Sequence, residues 1–148
     1  MRIAVCSDEP TPVHEVIVAE LEARGHQVVR FGALTDGEEH AWAPVAEQAA
    51  MAIAQGDCHE GVFLCWTGTG ISIAANKVPG IRAALCTDPG TAAGARVWNH
   101  ANVLCLSNRL LSAPMAKEIL AAWLGTDPGH EGDVGVEALG AVEARWRR

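Results

Sequence analysis

"LCWTGTGISIAANK", residues 64–77, decides how this chain is read. An apolar run ends in a cysteine, two glycines alternate with two threonines, and an alanine-rich stretch follows. That is the pattern of a buried strand giving way through a tight turn to a helix. Outward from it, "RIAVCS" (2–7), "QVVRF" (27–31), "GVFLC" (61–65), "IRAALC" (81–86) and "NVLCLS" (102–107) are short apolar runs rich in β-branched residues, and they read as buried strands. Helical stretches separate them: "VHEVIVAELEARG" closing at Gly25, "AWAPVAEQAAMAIAQG" closing at Gly56, a short one after Gly70, another near 90–97, and "APMAKEILAAWLG" closing at Gly125. This alternation predicts an α/β, Rossmann-like three-layer sandwich with a five-stranded parallel sheet. After the turn-rich "TDPGHEGD", an extra C-terminal helix over about 134–148 has no following strand; it either docks on a partner subunit or covers its own domain.

With 148 residues, 49% of them apolar, the chain suits one domain over 1–148, a size that buries roughly two-thirds of its unfolded surface. A formal charge of -7 with 11 dispersed basic residues argues against a nucleic-acid partner, because phosphate backbones require clustered cations. No apolar run reaches the roughly 20 residues that span a bilayer, and Asp8 interrupts the first one, so no membrane contact and a cytoplasmic location are expected. Five cysteines, odd in number and without a C-x-x-C pair, suggest neither a zinc site nor a disulfide framework. Cys6, Cys86 and Cys105 read as small core residues.

Ligands of such sheets bind beyond the carboxyl ends of the strands, which selects Asp8, Cys65 to Gly70, Asp88 and the residues around Ser107. "TGTG" is neither G-x-G-x-x-G nor a Walker loop, since no Lys-Ser or Lys-Thr follows. Glycines ahead of a helix still leave N–H groups at a positive dipole end, suited to an anion or a developing oxyanion. A thiol there should ionise more readily, so Cys65 is a candidate base. The plainer alternative, in which Cys65 only finishes a strand and the glycines only make a turn, stays open on local sequence.

The order of elements, with "CWTGTGISIAANKVPGIRAALC" and "NHANVLCLSNRLL", resembles the type B ribose-5-phosphate isomerases and the related galactose-6-phosphate isomerase subunits over nearly the whole chain. The resemblance implies an aldose–ketose isomerase acting on a sugar or sugar phosphate, with no metal or organic cofactor. It also implies a homodimer or dimer of dimers with each site at a subunit interface. In that family a thiolate at the position of Cys65 shuttles a proton between C1 and C2 through an enediolate. The N–H groups here of Trp66, Thr67, Gly68, Thr69 and Gly70 would hold the oxyanion, and the Thr67 hydroxyl would assist. Asp8 matches the aspartate that binds sugar hydroxyls, and Asn99 and Arg109 match substrate-binding residues.

The chain departs from that pattern where the family binds phosphate and opens the ring. Glu9 stands where a His is usual, and Trp98 stands where the ring-opening His precedes the Asn. Glu131 and Gly135 fall on a pair of phosphate-binding arginines, and Ala41-Trp42-Ala43 replaces an aspartate-tyrosine-proline stretch. A dianion held by bidentate Arg would be repelled by Glu, so an unphosphorylated or decorated substrate is expected. Trp42, Trp66 and Trp98 fall at pocket positions where aromatic faces stack on sugar C–H surfaces, whereas Trp123 reads as core. His100 is a candidate displaced acid; His14, His26, His40, His59 and His130 read as surface residues. Two other readings are carried forward: one subunit of a hetero-oligomer whose homologous partner supplies the missing His and Arg, and a non-catalytic sugar-binding protein on the same scaffold.

Overall fold

A computed structural model of the protein describes residues 1–147. Five parallel strands, β1 (Arg2–Ser7), β2 (Gln27–Gly32), β3 (Glu60–Cys65), β4 (Ala83–Leu85) and β5 (Val103–Ser107), form one sheet in the order β2-β1-β3-β5-β4. The helices are α1 (Val13–Ala23), α2 (Ala33–Asp36), α3 (Trp42–Ala54), α4 (Thr69–Ala75), α5 (Pro89–Asn99), α6 (Ala113–Leu124) and α7 (Asp133–Trp146). The expected α/β sandwich is therefore present. Most boundaries shift by one or two residues from the sequence reading, and two features differ more. The fourth strand is only three residues long, and the four-residue α2, too short to show a periodicity, follows β2 directly. Arg148, the last residue of the expected terminal helix, lies outside the described residues.

Strand side chains alternate between the two faces, as the pleat requires. Ile3, Val5, Val62, Leu64, Leu104 and Leu106 point to the layer of α1, α5 and α6. Ala4, Cys6, Phe63, Cys65, Val103 and Cys105 point to the layer of α3 and α4. Cys6, Cys86 and Cys105 are buried in these layers, and so is Trp123. Burial pushes the Cys86 thiol up to about 11 and those of Cys6 and Cys105 well above their ordinary value, so none of the three is a base at neutral pH. Among the described residues no helix is long and apolar enough to cross a membrane.

The chain leaves β1 for β2 on one side and returns for β3 on the other, so the carboxyl ends of β1 and β3 flank the point where strand order reverses. Sheets of this kind open a crevice there. Helix α7 takes no part in covering it. Gly132 abuts the end of α5, where an added Cβ would lie 2.6 Å from the Trp98 carbonyl oxygen, and Glu143 Oε1 accepts the Gly80 N–H at 2.9 Å. None of its residues is buried, and Val134, Leu139, Val142 and Trp146 are exposed.

Candidate active site

The Cys65 loop is pinned from two directions. The Cys65 carbonyl accepts the N–H of Gly68 at 3.2 Å and of Asn108 at 2.9 Å, while the Trp66 carbonyl accepts the Arg109 N–H at 3.1 Å and the Ser107 hydroxyl at 2.9 Å. These bonds tie the exit of β3 to the exit of β5. Gly68 has φ +76°, and an added Cβ would lie 2.6 Å from Leu85 Cδ1 and 2.9 Å from the Leu106 backbone. Only glycine suits that position. Gly70 answers a different demand, since an added Cβ would meet the Trp42 ring at 3.1 Å; its absence lets the indole lie against the loop.

Cys65 is buried at the end of β3. Beside it begins α4, where the N–H groups of Thr69, Gly70 and Ile71 find no acceptor among the described residues. The Gly68 N–H, expected to share in holding an oxyanion, is instead engaged by the Cys65 carbonyl, because the tight turn closes on itself there. The hydroxyls of Thr67 and Thr69 share a hydrogen bond of 2.6 Å. Across the crevice, Asp8 Oδ1 is buried with no hydrogen-bond partner among the described residues. Burial, opposed by backbone hydrogen bonds and reinforced by the charges of Glu9 and Glu39, raises the Asp8 carboxyl above its ordinary range. A buried oxygen left in this state is an unmet acceptor, which a ligand hydroxyl can satisfy.

Asp8, Glu9, Trp42, Cys65 to Gly70 and Arg109 are thus gathered at the carboxyl edge of the sheet. Trp98, Asn99 and His100 are not. Helix α5 starts beyond the carboxyl end of β4 and carries these residues to the opposite edge, where the His100 carbonyl accepts from Arg82 Nε at 2.8 Å just ahead of β4. There Trp98 and Asn99 line a separate cavity of about 580 Å³ with Asn76, Arg82 and Leu139. His100 caps α5 with φ +45°, and its buried Nε2 makes no hydrogen bond among the described residues, Asp133 Oδ1 standing at 3.6 Å. Within one chain, therefore, His100 is not beside Cys65. Asp88, chosen for its place after β4, caps α5 by accepting the Thr91 N–H at 2.8 Å.

Two residues at the crevice take a part the sequence did not assign them: Asn108, selected only as a neighbour of Ser107, and His14, read as a surface residue. Asn108 bonds to Ser7 Oγ and Glu9 Oε1, each at 3.2 Å, and to His14 Nε2 at 3.0 Å. His14 is not a surface residue; it is 3% exposed. Its signal was its spacing, because 14, 17, 18 and 21 fall on one helical face whose other members, Ile17, Val18 and Leu21, are core.

Known proteins place this arrangement. The profile of the Ribose/Galactose Isomerase family matches residues 3–136. The chain belongs to that family. It is 42% identical over 133 residues to ribose-5-phosphate isomerase B of Escherichia coli, covering 89% of this chain and 88% of the relative. It is 37% identical over 145 residues to D-erythrulose-4-phosphate isomerase of Pectobacterium atrosepticum, covering 97% and 95%. The solved structure of Clostridium thermocellum ribose-5-phosphate isomerase B superposes with a TM-score of 0.92 at 36% identity over 99% of both chains. In this family member the crevice beside Cys65 is the candidate active site.

Proposed function

We propose that the chain is an aldose–ketose isomerase in which Cys65 moves a proton between C2 and C1 of an opened sugar. The observation that carries this reading is a buried cysteine at the strand switch point beside three amides that lack acceptors. The thiolate takes the C2 proton of the aldose, and the C1 carbonyl oxygen gains the charge as the enediolate forms. The amides of Thr69, Gly70 and Ile71 stabilise that oxygen, at about 3 to 4 kcal/mol for a well-placed donor. The thiol then returns its proton to C1 while the O2 proton passes to O1, completing the ketose. Asp8 Oδ1 takes a sugar hydroxyl, and Trp42 and Trp66, 45% and 57% exposed, offer faces for the C–H surface.

The relatives act, by their names, on sugar phosphates. In this chain the positions matching the phosphate-binding arginines carry Glu131 and Gly135, and neither can hold a dianion. The proposed substrate is therefore a four- to six-carbon sugar without phosphate at that end. The placement of Trp98 and Asn99 across the sheet supports a homodimer or dimer of dimers in which a second copy brings them to Cys65. A homologous partner subunit carrying the absent His and Arg is the second reading, favoured by the same two substitutions. Five cysteines without a disulfide fit a cytoplasmic enzyme. Incubation with a panel of pentoses, tetroses, hexoses and their phosphates in heavy water tests the proposal. Solvent deuterium at C2 of an unphosphorylated sugar is expected, and no exchange on any member of the panel would sink it.

A further inference from the structure

The proton-transfer step leaves one polar assembly at the carboxyl edge without a task, and Asn108 sits at its centre. Its backbone N–H holds the Cys65 carbonyl, while its side chain joins Glu9, Ser7 and His14. The hydrogen-bond pattern fixes the orientation of the whole chain of groups. His14 Nδ1 accepts the Thr11 N–H at 3.4 Å, so a neutral ring carries its proton on Nε2 and donates it to Asn108 Oδ1. Asn108 Nδ2 must then face Glu9 Oε1. An amide in this position has no exchangeable acid to pass along, so the assembly positions a group and does not relay a proton. Burying an imidazole so thoroughly is costly unless its nitrogens are met, and here both are.

Resting on the isomerase reading of this same site, we infer that His14, acting through Asn108, is a positioning residue that clamps Glu9 as a specificity-determining carboxylate. Glu9 Oε1 is held by Asn108, and Oε2 is left to accept a substrate hydroxyl. With Asp8 and Glu39 close enough to act on one another electrostatically, this side of the crevice collects negative charge. It accepts the hydroxyls of an uncharged sugar and repels a phosphate. Arg109, exposed and without an ion-pair partner among the described residues, stands at the β5 exit, where its N–H meets the Trp66 carbonyl.

Calorimetric titration with ribitol and with ribitol 5-phosphate reads the clamp directly as a ratio of affinities. The wild-type protein should prefer ribitol. Glu9→Gln and His14→Leu should each shrink that preference by about tenfold, the size expected when a charged hydrogen-bonding group is lost or released. His14→Gln keeps a donor for Asn108 Oδ1 and should stay within about threefold of wild type. A purely structural His14 would weaken both ligands alike and leave the ratio unmoved. If His14→Leu does not fold, Asn108→Ala carries the same expectation. Absence of ribitol binding, equal or tighter binding of the phosphate by the wild type, or a ratio unchanged in Glu9→Gln overturns the inference. Deuterium exchange at C2 is measured on the same proteins: exchange with an unmoved ratio removes the clamp alone, and a shifted ratio without exchange on any sugar removes the isomerase reading.

Discussion

At the amino ends of the strands the buried carboxylate of Glu60 is met on every side. Arg96 Nη2 approaches it at 2.7 Å, Trp123 Nε1 donates to it at 2.9 Å, and the guanidinium lies 4.9 Å over the indole. The rest of that guanidinium donates to the carbonyls of Ala101 and Thr126. At the carboxyl ends, Asp8 Oδ1 and Thr11 Oγ1 are buried and, among the described residues, have no partner, and the opening amides of α4 donate to nothing there. Unmet buried polar atoms cost stability. The Glu60 cluster closes its polar groups in a way that stabilises the fold, with His100 Nε2 the exception at that edge, whereas the crevice leaves Asp8 Oδ1 and the α4 amides open for a ligand.

The comparison can be broken from either end. The largest effect on stability is expected from Arg96→Ala, which leaves the Glu60 carboxylate buried and unpaired, at a cost of about 3 to 5 kcal/mol. Urea unfolding measures the loss. Gly68→Ala comes next, at about 1 to 3 kcal/mol for a left-handed residue with a blocked Cβ. Here activity should fall further than stability, because the displaced backbone carries the Cys65 loop.

The smallest effect is a pH dependence. Burial holds the His14 pKa below its ordinary 6.5, against the Asn108 hydrogen bond that raises it. The unfolded chain therefore binds that proton more readily than the folded one. Stability contributed by neutral His14 is intact above pH 6.5 and is lost as pH falls from there through the folded pKa. Unfolding at a series of pH values from 7.5 downward should show this decline, and His14→Gln should flatten it.

The sheet was legible because buried parallel strands write themselves as unbroken apolar runs, and "GVFLC" ending at Cys65 is one of them; its strand order was not, since no local run records which strands pair. The loop was legible because glycine readily takes the left-handed backbone that a tight turn into a helix needs, and Gly68 takes it. Asn108 was not legible, since a polar residue after a strand can face solvent or crevice, and only the meeting of three strand exits decides it. The site assignments of Trp98, Asn99 and His100 came from resemblance, although topology alone places the end of α5 across the sheet from Cys65. The resemblance describes a site; the chain shows which part of it one copy can build.

The most direct test sets wild-type protein beside Cys65→Ala in heavy water with the sugar that exchanges fastest. Removing a general base typically costs about 10²- to 10⁴-fold, so deuterium incorporation at C2 should collapse while sugar binding and the unfolding midpoint stay close to wild type. Exchange at an undiminished rate in Cys65→Ala would show that another group moves the proton, and the account of this crevice would fail.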